Sequence, residues 1–148
     1  MTTFVMAKRF KFRLDGLHKF RRYKTNEAKL AFGEIAQLRN AKQQEIAQQR
    51  DYLASLMVGK SSVKAAELQM HLAHISSVRD RIATLEKELR NLFEIESLRR
   101  KELTHTMRDE KVMDNLHDKK LAEHSHALLR EEQIMMDEIA LRTEQTLV

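Results

Sequence analysis

The sequence has no cysteine, no proline and no tryptophan, and only three glycines in 148 residues. Without cysteine there is no disulfide framework, no thiolate nucleophile and no cysteine zinc site, a usage that fits a reducing compartment. Missing proline and scarce glycine argue against a turn-rich β-sandwich or barrel, whose many reversals need both residues. Aromatic residues make up 5% of the chain, too few for a thick globular core. No apolar run approaches the roughly 18 residues of a membrane-spanning helix. The first twelve residues place their charges behind a very short apolar stretch, the reverse of a secretory signal. The expectation is a soluble cytoplasmic protein.

What is abundant points one way. About half of the residues are Ala, Glu, Lys, Leu or Arg, the usage of long helices and coiled coils when an apolar period near 3.5 accompanies it. The charge is uneven. Between residues 8 and 24 stand Lys8, Arg9, Lys11, Arg13, Lys19, Arg21, Arg22 and Lys24 against Asp15 alone, while the whole chain is only +5. The basic character is therefore local, and it fits a docking patch better than a whole-surface nucleic-acid footprint.

The elements follow from the spacing. Phe10, Phe12 and Leu14 alternate with charges, so this stretch is either an extended arm leading to a helix that Asp15 caps, or helix from about Phe10. A first helix is expected over about residues 10–57. A 3,4 spacing runs through Leu14, Leu17, Arg21, Lys24, Ala28, Ala31, Ile35 and Leu38, then meets Lys42, Glu45 and Gln49. A shifted frame recovers Ile46, Leu53 and Leu56, which predicts a stutter near residue 42 in preference to a polar core. Gly33 lies mid-helix, where a missing side chain permits a close approach.

The turn is expected over 58–62, with Gly59 ending the first helix and Ser61 or Ser62 capping the second. The second helix is expected over about 63–143. Its clearest heptads are Ile75, Val78, Ile82, Leu85, Leu89 and Leu92, supported by i,i+4 pairs Glu86–Arg90 and Glu96–Arg100. The stripe then thins through Met113, Leu116, Leu128, Met135 and Ile139. Each helix needs a partner for its stripe, and the nearest partner is the other helix. The fold class is all-α: a long antiparallel two-helix coiled-coil hairpin with unequal arms, one domain over residues 1–148. Equal helical rise places Phe10 beside roughly residue 110.

Chemistry is sparse. His71 with His74, and His117 with His124, are spaced to share a helix face, but three or four converging ligands are required for zinc. No carboxylate is placed with His71 and His74 to complete a set, and the histidines read as packed or solvated. The isolated glycines form no phosphate loop, and a two-helix hairpin lacks the concavity of an enzyme site. Neither catalysis nor a cofactor is expected. The Phe-bearing basic start is the most informative feature, with apolar residues to anchor a protein partner and cations to steer it. Charges flank almost every apolar residue there, which disfavours a lipid-binding helix. Gln37, Gln43, Gln44, Gln48 and Gln49 form a polar patch, of which Gln37, Gln44 and Gln48 are candidate partner contacts.

Three stretches together resemble the FliJ family, the stalk component of the bacterial flagellar type III export ATPase. Arg9-Phe10-Lys11-Phe12-Arg13-Leu14-Asp15-Gly16-Leu17 with Phe20-Arg21 is similar to the family's F-x-F-x-L-x-x-L-L-x-L/F-R opening. Gly59 followed by Leu68-Gln69 and Leu72 to Ile75 is similar to its turn and second-helix start. Glu132-Gln133 with Asp137-Glu138 resembles its E-Q-x-x-x-D-E tail. The likeness covers Phe10 to Arg142, and its N-terminal part begins at Met6, which leaves Met1 and Met6 as alternative native starts.

The resemblance implies a non-enzymatic stalk. Its partners would be a hexameric flagellar export ATPase, whose ring assembly and activity it promotes, the cytoplasmic domain of the membrane export gate, and export chaperones. It implies a cytoplasmic location with peripheral membrane association through the export apparatus, and no nucleic-acid partner. Phe10, Leu14, Leu17 and Arg21, with Glu132, Gln133, Asp137 and Glu138, would form the end that meets the ATPase. Two rival readings are the equivalent stalk of a virulence secretion system and a basic coiled-coil binder of nucleic acid or anionic membrane. The histidines and the Met135-Met136 pair are not features of the family pattern.

Overall fold

A computed structural model of the chain describes residues 9–58 and 64–146. It is all-α, with two long helices packed antiparallel: α1, Asp15–Met57 (43 residues), and α2, Ala65–Thr146 (82 residues). The arms are thus unequal. The expected caps at Gly59, Ser61 and Ser62, and the alternative starts at Met1 and Met6, lie outside the described residues. Among the described residues no helix is long and apolar enough to cross a membrane.

The first helix begins at Asp15, five residues later than about Phe10. Residues 9–12 are not helical, and Asp15 N–H donates to Phe12 O at 3.2 Å in the turn that leads into α1. The first intrahelical bond, His18 N–H to Leu14 O at 2.9 Å, makes Leu14 the residue at the cap position. Asp15 therefore supports the helix as a first-turn acid, favourable to the helix dipole. Its carboxylate meets Lys19 at 2.7 Å, an exposed i,i+4 pair. That hydrogen bond holds Asp15 below its ordinary pKa.

The chain divides into two compact units, one of residues 25–105 and the other of residues 1–24 with 106–148. The larger unit pairs the later part of α1 with the early part of α2. Ile75, Val78, Ile82 and Leu85 are buried, and Leu89 and Leu92 are half-buried, as their heptad spacing predicts. On α1, Ala28 and Ile46 are buried and Phe32, Ile35, Leu53 and Leu56 half-buried. Among the described residues Leu85 is the largest side chain with no exposure at all.

The predicted stutter is absent. Burial along α1 recurs at His18, Arg21, Thr25, Ala28, Phe32, Ile35, Arg39, Lys42, Ile46, Gln49, Leu53 and Leu56, alternating steps of three and four without interruption. The frame through Leu14, Leu17, Lys24 and Leu38 instead faces outward; Leu38 is 55% exposed. A polar residue can hold a seam position where it meets an opposite charge across the helices. Arg39 does so with Glu96 at 3.2 Å, and Lys42 with Glu88 at 3.0 Å, while Glu45 on the same helix lies 3.1 Å from Lys42. Glu96 is buried and also meets Arg100 at 3.5 Å. Its Oε2 lies within ion-pair distance of Arg39 Nη1 but lacks a well-directed hydrogen bond, as does Arg39 Nε. Arg39 and Arg100 further stack on Phe93 and Phe32, at 5.7 and 5.6 Å from the ring centres.

Three smaller expectations also change. Glu86 pairs across the helices with Arg50 at 2.6 Å, whereas i,i+4 pairing with Arg90 was expected. A Cβ built on Gly33 meets nothing within 4 Å, so this glycine permits no close approach. Phe10 packs beside His117 and His124, seven and fourteen residues beyond the expected position.

Candidate functional site

The second unit gathers the basic start of the chain onto α2. Burial alternates along the arm: Phe10 and Phe12 are half-buried, while Arg9, Lys11 and Arg13 are exposed. This is the period-two pattern of an extended segment laid on an apolar surface. Phe10 stands edge-on to His117 at 5.6 Å and tilted to His124 at 5.5 Å. Phe12 meets His117 at 5.1 Å and His18 at 6.0 Å, both edge-on. Edge-to-face rings hold the arm by the attraction between a positive edge and a negative face. The i,i+7 spacing of His117 and His124 was the sequence signal for this shared face; the rings that fill it were not readable.

Below the rings, His18 anchors α1. It is buried, and its Nε2–H donates to Asp114 Oδ1 at 2.6 Å. A carboxylate only accepts, so Nε2 carries the hydrogen. That hydrogen bond lowers the Asp114 pKa from its ordinary value, and the charges of His18, Arg22 and Lys111 act in the same direction. Arg22 approaches the same oxygen at 3.6 Å and Glu110 at 3.8 Å. Arg21, predicted as a partner contact, is half-buried and donates to the Asp109 carbonyl at 3.0 Å. Its first task is therefore to tie α1 to α2. Met113, 3% exposed, completes the packed floor.

Between the arm and α2 lies a groove of about 550 Å³. Phe10, Phe12, Leu14 and Leu116 give it an apolar lining, and Arg9, Lys11, Arg13 and Lys120 give it a cationic rim. Leu14 and Leu17 are 37% and 41% exposed, accessible to a partner as well as to the chain itself. Phe12, Leu116, Lys120 and the two histidines extend the predicted set. The alternation at Phe12 and the spacing of the histidines were sequence signals, whereas nothing in the local sequence distinguished Leu116 and Lys120 from ordinary heptad residues.

The two halves of the predicted end are not brought into contact. Glu132, Gln133, Asp137 and Glu138 lie on the exposed last part of α2. Glu132 is eight residues beyond His124, about 12 Å along the helix. Around them Ile134, Met136 and Ile139 are 59%, 70% and 59% exposed. In the larger unit Gln37, Gln44 and Gln48 are exposed on α1, whereas Gln49 turns into the seam.

The paired histidines serve the packing. His71 Nε2–H donates to the Leu56 carbonyl at 2.9 Å, and His74 Nε2 is hydrogen-bonded to the Tyr52 hydroxyl at 2.9 Å. Among the described residues, no group of three or more His, Cys, Asp or Glu is arranged to hold a metal ion.

Comparison with known families gives a match over residues 10–145, nearly the whole chain, to the family described as Flagellar FliJ protein. No curated protein and no solved structure matches the chain.

Proposed function

The chain belongs to the FliJ family of flagellar proteins, and from that premise we propose that it is the non-catalytic stalk of an export ATPase. Family membership makes it a component of flagellar-type export. In the proposed mechanism the chain acts as one coiled-coil domain. Its basic, Phe-bearing end and the acidic last part of α2 meet a hexameric export ATPase, promote assembly of the ring and raise its activity. Other surfaces reach the cytoplasmic domain of the membrane export gate and export chaperones. The protein works in the cytoplasm and approaches the membrane only through that apparatus.

The observation that best supports the reading is the arm groove. Exposed Leu14 and Leu17 beside an apolar cleft supply anchors. Arg9, Lys11 and Arg13 supply steering charge toward an acidic or carbonyl-rich protein surface. Gln37, Gln44 and Gln48 offer a separate hydrogen-bonding surface for a second partner.

The test is stimulation of the purified ATPase by the full chain. Phe10→Ala combined with Leu14→Ala is expected to lower stimulation while far-UV helicity stays near wild type, because both residues precede the first residue of α1. Unchanged stimulation would reject the assigned end. Failure of the wild-type chain to bind or stimulate the ATPase would reject the stalk reading itself.

A further inference from the structure

In the unit of residues 1–24 and 106–148 the two flanks of the helix seam differ. On α1 the seam passes through His18 and Arg21, and on α2 through Met113 and His117, all buried or half-buried. Arg22 follows Arg21, Asp114 follows Met113, and the two meet at 3.6 Å, which places both on one flank. Leu17 precedes His18 and Leu116 precedes His117. With about 3.6 residues per turn, a residue just before the seam and one just after it stand on opposite sides, so Leu17 and Leu116 share the other flank.

The flank of Arg22 is sealed by charge, with Asp114 and, at 3.8 Å, Glu110. The flank of Leu17 is apolar and open. Leu17 is 41% exposed, and Val112, one turn before Leu116, is 59% exposed. Leu14, one turn before Leu17, lines the groove under the arm together with Leu116. The open flank therefore continues that groove, over about 18 Å of α2 from Val112 to His124. An apolar strip between two packed helices has the shape that a third helix fills, ridges into grooves, with anchors at i, i+3, i+4 and i+7.

Charge selects the helix. Arg9, Lys11 and Arg13 are exposed beside the groove and have no carboxylate partner among the described residues. Lys120, also at the groove, is already paired with Glu123 at 2.8 Å, so the unmet charge belongs to the arm. An acidic helix supplies the missing counter-charge, and a basic one is repelled. A nucleic acid matches the cations but offers no aliphatic face to Leu17 and Val112. The arm of a second copy brings the same cations again.

We propose that this flank receives an acidic amphipathic α-helix of a partner protein, its apolar stripe on Leu14, Leu17, Val112 and Leu116 and its carboxylates against the arm. The inference deepens the reading of this end as the ATPase-binding one. It names the chemistry of the contact, and it rests on that reading only for which protein carries the helix.

Fluorescence anisotropy of the full chain with labelled synthetic peptides of about 18 residues tests it. One peptide carries a leucine stripe at helical spacing flanked by glutamates. A second has the same stripe flanked by lysines, and a third keeps the glutamates with serine in place of every leucine. The first is expected to bind at least about tenfold more tightly than either of the others. Leu17→Ser with Val112→Ser is expected to weaken it at least about tenfold. Far-UV helicity should stay near wild type, because both side chains are exposed. Leu121→Ser, seven residues beyond Asp114 on the opposite flank, should leave the affinity unchanged. Arg9→Glu, Lys11→Glu and Arg13→Glu together should reverse the preference in favour of the lysine-flanked peptide, which also shows that this variant is folded. No binding of the first peptide, equal binding of the first and third, or indifference to the Leu17 and Val112 changes would each overturn the proposal. A wild-type dimer in sedimentation equilibrium that the Leu17 and Val112 changes abolish would overturn it too, by assigning the flank to a second copy. The peptides keep the two readings apart. A chain that binds the acidic peptide but not the ATPase keeps this inference and loses the stalk, and the converse result does the opposite.

Discussion

Single residues in this molecule matter according to what they leave behind when removed. Gly33 fills no tight space, and a Cβ there meets nothing within 4 Å. Its replacement by Ala removes backbone freedom from the unfolded chain at no steric cost. Gly33→Ala is expected to raise stability by about 0.5–1 kcal/mol, read as a higher denaturant midpoint with unchanged slope. Leu85 is the opposite case, with no exposed surface. Leu85→Ala leaves a cavity between the helices and is expected to cost about 3 kcal/mol. Asp114 adds a pH dependence. Its pKa is lowered in the folded state by the His18 hydrogen bond. A carboxylate with a depressed folded pKa stabilises above its unfolded value, and that contribution is lost as pH falls through the folded one. Wild type should therefore exceed Asp114→Asn in stability near pH 6, and the two should converge as pH falls below the ordinary carboxylate range and through the lowered folded value. A constant difference across that range would remove the carboxylate from the account.

At the scale of the helices, the seam shows what the sequence made legible and what it hid. The run Ile75, Val78, Ile82, Leu85 was readable because every position is apolar, so spacing alone names the buried face. The α1 side of the same contact was misread at Arg39 and Lys42. A single-chain pattern prices a polar residue as a break in the stripe. The partners across the seam that offset its cost, Glu96 for Arg39 and Glu88 for Lys42, are 57 and 46 positions away, and no local window contains them; only Glu45, three residues after Lys42, was within local reach. The extended arm was legible as an alternative at Phe10 and Phe12, whose period-two pattern is intrinsic. Its docking place on His117 and His124 was not, because register depends on the turn. The Arg39–Glu96 pair carries the sharpest test. Glu96→Ala leaves Arg39 in the seam without its carboxylate and is expected to cost about 3 kcal/mol. Arg39→Leu together with Glu96→Leu should be neutral or stabilising, by up to about 4 kcal/mol in thermal unfolding, because an apolar layer then replaces a desolvated ion pair. Equal losses in the single and double variants would show that an apolar layer cannot replace the ion pair and would overturn this account of the seam.

For the whole molecule the question is what kind of partner a locally basic, non-uniform surface selects. The excess cations sit at residues 8–24, whereas the helices interleave both signs and pair them across the seam. Two kinds of binding differ here in their response to salt. A nucleic acid or an anionic vesicle is held by release of counterions, so affinity falls linearly in log–log terms with a slope set by the number of phosphates met. A protein partner anchored by Leu14, Leu17 and the arm groove keeps its apolar contribution when charges are screened, because burial of apolar area does not depend on the Debye length. Titrations of the full chain against duplex DNA, RNA, anionic vesicles and the export ATPase at about 50 and 200 mM salt therefore separate the readings. The expected outcome is weak phosphate binding that disappears at the higher salt, beside ATPase binding that falls only modestly. Arg9→Glu with Lys11→Glu should abolish the first and slow association in the second, leaving its dissociation rate nearly unchanged. Phosphate binding that survives high salt while ATPase binding does not would transfer the arm from a protein-docking role to a nucleic-acid or membrane one, and the basic coiled-coil binder would become the better description of this chain.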